Sequence, residues 1–353
     1  MADSPQAGQP VDLPAGTLLF HRNSIVDSDG TGLDAYVISI PAGWEGQCRV
    51  LWNLQRTVAP SDLYVRVTNP RGGQEFTYYP TCLFVWTPAL EQASARLKGW
   101  VRGCRILQPI DGPLVAIQKI IIPEDIKDIN PKYTVVSSAE LPLLAAAYAP
   151  TYARPGRPPP TVRAGKVRIE YDEDGSTLQE DVYCVFVLTT GEKGSVWELD
   201  HIMTFKEEKG IPDQTDREFA LMAVSLTPTP KFMDAMAKMT GILFQQSVPS
   251  PAALMQQVAS AEKAQQEIDP DVAASWRTRQ AAAIAAIESL GEGGLRGVLG
   301  EIDPHTGERL PVPGDVIHTW SNSAGDIVYT DSATFKPSEI KDADWQELTP
   351  AKP

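Results

Sequence analysis

The sequence predicts an α+β fold, with an antiparallel sheet flanked by helices, then a helical segment and a small β-rich C-terminal unit. Three observations carry this expectation. Short runs of alternating apolar residues, punctuated by Gly, Pro and Asn, recur between residues 17 and 228. Three capping residues, Thr229, Ser250 and Asp269, each stand directly before a proline. After a Gly-rich stretch, short apolar runs return around Trp320, Tyr329, Phe335 and Trp345.

Residues 1–16 are polar and rich in Pro and Gly and read as a flexible arm. The body, 17–228, opens with Thr17–Phe20. Tyr36–Pro41, Cys48–Asn53, Leu63–Thr68, Phe76–Tyr79 and Cys82–Trp86 then read as an antiparallel meander, with turns at Asp27–Gly32, Gly43–Gly46 and Asn69–Gly73. An irregular insertion covers about 90–163. Within it Leu90–Leu97 suggests a short helix, Pro113–Ile122 an amphipathic helix stopped by Pro123, and Tyr133–Val136 a strand. Residues 153–160 resemble a polyproline connection. Regular alternation resumes in a hairpin over 166–188 and a strand over Val196–Lys206. The run Leu221–Leu226 reads as the closing strand.

The helical segment covers 229–290. A side-chain oxygen followed by proline suits a helix start, because proline lacks an N–H that would have no partner there and its φ is already helical. Phe232, Met236, Ile242 and Leu243 form the stripe of the first helix. Leu254, Val258, Ala261 and Ile268 mark the second, and Val272, Trp276, Ile284 and Ile287 the third. A Gly-rich linker, 291–300, leads to the β-rich tail, 301–353, where Val316–Trp320 and Asp326–Thr330 flank a hairpin loop. A unit that small is marginal alone and is expected to pack on the body or on a partner.

Composition limits the function classes. At 353 residues, 42% hydrophobic and 22% charged, the chain is globular. With 31 basic and 45 acidic residues the net charge is −14, which disfavours nucleic acid and anionic membranes as partners. The one basic cluster, Arg154, Arg157, Arg163, Lys166 and Arg168, is diluted by prolines. No apolar run suits membrane insertion, no leader-like stretch opens the sequence, and Cys48, Cys82, Cys104 and Cys184 lack paired spacing. A cytoplasmic protein with four reduced thiols is expected.

The string Ala35-Tyr-Val-Ile-Ser-Ile-Pro-Ala-Gly-Trp44 resembles the opening strand of the PsbP/Mog-like superfamily, an alternating strand that runs into Pro-x-Gly-Trp. Ala220-Leu-Met-Ala-Val-Ser-Leu-Thr227 is similar to that group's closing strand, with a helix after it, and the 166–188 hairpin suits the same sheet. The resemblance spans about 35–245. It implies an antiparallel sheet sandwiched by helices and a role in docking to other proteins, with no shared catalytic residues to carry over.

Motifs for chemistry are missing. Gly291-Glu-Gly-Gly-Leu-Arg-Gly fails the dinucleotide fingerprint, because Arg296 holds its last glycine position and a helix precedes it. Asp27–Asp34 begins like a calcium loop, but Ile38 stands where the bidentate Glu belongs, so a solvated turn is expected. Nucleophile elbows, paired zinc histidines and a P-loop lysine are all lacking. His201 follows Asp200 on an expected strand, where neighbours face opposite ways, so no local dyad is expected. The tryptophans at 44, 52, 86, 100 and 197 are assigned to core packing.

No catalytic residue, cofactor or metal is therefore expected. The function expected is that of a non-enzymatic protein-binding or assembly component, docking to other proteins or to itself. Its candidate interface is Met233, Met236, Met239, Trp276, Ile284 and Ile287, where adaptable methionines and small alanines suit close contact. A carrier or sensor of an apolar small molecule is the alternative, followed by an enzyme with a non-local active site.

Overall fold

The computed structural model describes residues 13–124, 126, 132–154, 156–210, 214–245, 250–261, 268–286, 290, 299–314, 316–340 and 343–350. The chain forms a mixed α+β structure built on antiparallel sheets, the longest of which curls into a half-barrel. That sheet runs β3 (Glu45–Trp52), β4 (Ser61–Thr68), β5 (Glu75–Tyr79), β12 (Gly194–Glu208), β11 (Ser176–Gly191), β10 (Thr161–Glu173) and β9 (Thr134–Glu140). Past the end of β5, β6 (Cys82–Trp86) also pairs with β12. It is extended by β8 (Cys104–Ile106) and β7 (Trp100–Val101). The β10–β11 hairpin turns at Asp174-Gly175, both at positive φ, the conformation a two-residue type I′ turn needs.

A second sheet runs β13 (Thr227–Pro228), β2 (Asp34–Pro41), β1 (Thr17–Val26), β17 (Asp326–Thr330), β16 (His318–Ser321) and β18 (Gln346–Glu347). The tail hairpin expected at 316–330 forms here, and β17 pairs directly with β1, Thr17 opposite Thr330. All five β17 residues are buried, so the tail completes the sheet that holds the N-terminal strand. A small third sheet joins β15 (Arg309–Val312), β14 (Leu299–Ile302) and β19 (Thr349–Pro350).

Helices cover both faces of the long sheet. α1 (Pro88–Ala93) follows β6 and buries none of its residues; outside lies a continuous helical stretch: α2 (Pro113–Ala116), a π-helical turn at Ile117–Ile121 and α3 (Ile122–Glu124). Its Ile117, Ile120, Ile121 and Ile122 pack on Trp197, Leu199, Phe186 and Val167. Inside lie α4 (Pro142–Tyr152), α5 (Gln214–Ser225), α6 (Pro230–Gln245), α7 (Pro251–Ala261) and α8 (Pro270–Ala286). They bury Tyr183, Val185, Met203 and Phe205 against Phe20, Ile38 and Ile40 of the second sheet.

The three predicted caps are present. Thr229 Oγ1 accepts from Phe232 N, Ser250 Oγ from Ala253 N, and Asp269 Oδ1 from Asp271 N. One element differs in type. The run expected as a closing strand at 221–226 lies largely in α5, with Phe219 through Val224 all buried. A short, continuously apolar run has no period by which strand and helix can be distinguished. The segment likened to the closing strand of the PsbP/Mog-like group is therefore helical up to Ser225. α4, inside the insertion expected to be irregular, carries Leu144, Ala145 and Tyr148 into the core.

Candidate functional site

The most polar part of the interior begins with an irregularity in β12. Opposite β11, Val185 pairs with Asp200 but Tyr183 pairs with Met203, so Cys184 faces two residues, His201 and Ile202. This is a β-bulge, and His201 holds it at φ 46°. Before the bulge Trp197 and Leu199 face the outer core; after it Ile202 does. The extra residue places Asp200 and His201 side by side within the same group of inner side chains, overturning the expectation that they face opposite ways. The apolar spacing 197, 199, 202 was the available signal, since a regular strand keeps a period of two.

Asp200 is heavily hydrogen-bonded. Its Oδ1 accepts from Thr81 Oγ1 at 3.0 Å and from the His201 backbone N–H at 2.8 Å, and its Oδ2 accepts from Tyr152 Oη at 2.7 Å. Burial would raise its pKa, but the His201 charge, these donors and Arg279 outweigh it and hold the carboxyl below its usual range. His201 stacks on Tyr148, ring centroids 3.9 Å apart, and its Nδ1 lies 3.4 Å from Tyr78 Oη. Burial lowers its pKa and Arg279 adds to this, against the opposing pull of Asp200. The side chains of His201 and Asp200 remain 19% and 16% exposed.

Charged neighbours complete the cluster. Glu198, two residues before Asp200, is pushed up to about 7 by burial and by Asp200. Asp62 on β4 is pushed up to about 6 by burial, although Arg56 pairs with it and opposes the shift. Arg279 on α8 acts electrostatically on Tyr36, Tyr78, Tyr148, Glu198, Asp200 and His201. The nearest hydroxyl suited to nucleophilic work, that of Thr81, is donated to Asp200. Among the described residues no group of three or more His, Cys, Asp or Glu is arranged to hold a metal ion. The arrangement suits recognition through charge and hydrogen bonds.

The Asp27 turn is exposed at Ser28, Asp29 and Gly32, as a solvated turn should be, but its Asp27 side chain is buried. Asp27 is 1% exposed; its Oδ1 accepts from Trp52 Nε1 and its Oδ2 from the backbone N–H and hydroxyl of Thr31. A separate hollow of about 430 Å³, open to solvent, lies between β2, α5, α8 and β15, where Arg22 Nη1 is buried without a partner.

The methionine and tryptophan set expected at an interface packs largely on the chain itself. Met239 is fully buried with Leu243, Leu254 and Val258 between α6 and α7, and Ile284 is buried on α8. Met236 is half-buried and accepts from Ser61 Oγ; Trp276 is half-buried and donates Nε1 to Pro228 O. Met233 is half-buried, and Ile287 lies outside the described residues. The alanines of α8 serve close approach, but α4 of the same chain is a neighbour they admit.

One surface stands out for exposure. Among the described residues β9 is an edge strand, paired with β10 alone, and all seven of its residues are exposed. From Thr134 to Ala139 it carries no charge, no proline and no lysine, the residues that usually guard a free edge. At the other end of the path, β3 carries Glu45 and Arg49.

Comparison with known proteins adds little. No family model matches the chain, and no curated protein matches it. Among solved structures, a crystal structure from Bacteroides thetaiotaomicron VPI-5482 aligns over 83% of this chain and 85% of its own, at 10% identity and a TM-score of 0.22. A likeness that low carries no argument.

Proposed function

We propose that this chain is a non-enzymatic binding protein that accepts an extended segment of another protein along β9. The supporting observation is the free edge itself. A strand with one unpaired edge offers backbone N–H and C=O groups to an incoming strand, and alternate side chains give specificity. Val135 and Val136 are 41% and 50% exposed, and Leu143, just after the strand, is 62% exposed. The uncharged edge sits on a chain of net charge −14. The complementary partner is therefore a β-prone segment, uncharged at its centre and flanked by Lys or Arg.

A displayed library of random peptides selected against the purified chain tests this. Enriched peptides should be extended, β-prone and basic at their flanks. A Val136→Lys/Ser138→Lys variant, guarded on its edge but with unchanged melting temperature, should lose them. Peptides that bind this variant as well as the parent, or no enrichment, would defeat the proposal.

A further inference from the structure

A net charge of −14 is a sum over the whole chain, and one surface reverses it. Residues 87–106 carry four cations, Arg96, Lys98, Arg102 and Arg105, and a single acid, Glu91. This is a second basic cluster, apart from the one at 154–168, and a tryptophan stands inside it. Trp100 is 53% exposed, and Arg96, Lys98 and Arg102, all within four residues of it, are exposed too. Among the described residues none of these three side chains has an ion-pair or hydrogen-bond partner. The other charges are occupied: Glu91 accepts from Trp86 Nε1 at 3.0 Å, and Arg105 pairs with Glu124.

The backbone holds this cluster in place. β7 and β8 form a hairpin in which Trp100 lies opposite Arg105, and Arg105 lies beside Phe84 of β6. These three share the outer face of the long sheet, where Phe84 stacks on Trp197 at 3.8 Å and Arg105 meets α3. Lys98-Gly99 and Arg102-Gly103, before and after β7, all have positive φ, at 54°, 77°, 47° and 71°. Lysine and arginine seldom adopt that conformation. Here the two bends set a cation at each end of a two-residue strand. Arg56 Nε donates to Gly103 O at 3.1 Å and pins the turn to the body. The indole is therefore an exposed plate at the sheet's edge, with a cation to either side along the chain.

Such a plate takes a flat ring, and the flanking cations take negative groups. A single-stranded nucleic acid supplies both in one repeat, since each nucleotide joins a base with an open face to a phosphate. A duplex hides its base faces. An acidic peptide would use the cations and leave the indole idle. Because the turn is pinned at Gly103, Trp100 lies on the flank of the hairpin and not at a free tip, which is poor geometry for entering a lipid surface. We infer that the β7–β8 hairpin binds single-stranded nucleic acid without base specificity, one base stacked on Trp100 and neighbouring phosphates on Arg96, Lys98 and Arg102. This site is independent of strand addition at β9.

Fluorescence anisotropy of labelled oligothymidylate and oligouridylate, titrated with the intact chain, tests the inference. Both should bind at about 50 mM salt, with a log–log salt slope of about −2, the value for three phosphate contacts on a single strand. Trp100→Ala should weaken binding at least about fivefold, and Trp100→Phe should keep most of it. In an Arg96→Gln/Lys98→Asn/Arg102→Asn variant, asparagine suits both positive-φ positions, and binding should be lost. Melting temperatures of all three variants should stay within a few degrees of the parent. Absence of binding by either oligonucleotide would overturn the inference. So would full affinity in Trp100→Ala, equal affinity for a duplex of the same length, or tighter binding of a polyglutamate peptide or of phosphatidylserine vesicles.

Discussion

Glu180 and Asp200 are both carboxylates of the long sheet, buried among opposite side-chain sets, and their protons behave in opposite ways. Glu180, on β11, is 3% exposed and accepts from Tyr171 Oη at 2.9 Å. Burial pushes it up to about 7, although the Tyr171 and Thr204 hydroxyls and Lys206 pull the other way. Asp200, also shielded, is held below its usual range. The bulge makes the difference. At His201 the pairing register breaks, and the backbone N–H there turns to the Asp200 carboxylate. With the charge of His201, the Tyr152 hydroxyl and Arg279 added, the ionised form is favoured. Regular strand geometry around Glu180 offers no such backbone donor. Burial sets the direction of a carboxyl shift until donors to the charged form outnumber it.

Deleting His201 breaks the comparison most severely. Removing the extra residue leaves Cys184 opposite Ile202 alone and restores regular alternation with no residue exchanging faces, but it takes away the backbone donor to Asp200. The expected outcome is a cooperative thermal transition retained in circular dichroism but at a lower midpoint, because the stack on Tyr148 and the donor to Asp200 are gone. His201→Gly keeps the positive φ and should retain that transition.

Asp200→Ala leaves the donors from Thr81, Tyr152 and His201 without their acceptor. It should lower stability by about 2–3 kcal/mol in urea titration at pH 7. The depressed folded pKa means the ionised carboxylate contributes above the unfolded value, about 3.9, and that contribution is lost as pH falls through the folded value. The gap between parent and Asp200→Asn should therefore close in acid.

Glu180→Gln sharpens the contrast with the opposite sign. A raised folded pKa contributes stability below the unfolded value, about 4.3, and loses it as pH rises toward 7. The variant should match the parent near pH 4 and exceed it by about 3–4 kcal/mol at pH 8. A parent equally stable relative to the variant at both pH values would contradict the assignment.

The smallest effect is expected at the start of α8, which carries Arg279. Asp269→Ala removes the cap on Asp271 N and should cost about 1 kcal/mol. Hydrogen exchange should show the loss confined to the first turn of α8.

Much of the fold was legible because its signals are local. Oxygen-then-proline starts at 229, 250 and 269 depend on neighbouring atoms only, and all three helices begin there. The 161–191 hairpin follows from alternation and an Asp-Gly turn. α5 was not legible, because six successive buried residues from Phe219 to Val224 carry no period. The His201 bulge left only a one-residue shift in apolar spacing. The methionine and tryptophan stripe was visible as apolar, but whether a partner or the chain itself covers it is a question of where other elements lie.

By itself, then, the sequence determined element starts, the hairpins, the acidic charge and the lack of catalytic motifs, since each depends on residues close along the chain or on composition. Only the tertiary structure decided that β17 lies against β1, that Met239 faces inward and that β9 has a free edge. It also brought Arg279, Tyr36, Tyr148 and His201, distant along the chain, within electrostatic reach of one another. Such placements arise from burying apolar faces against one another across hundreds of residues, and a pattern along one strand or helix does not name the face it will meet.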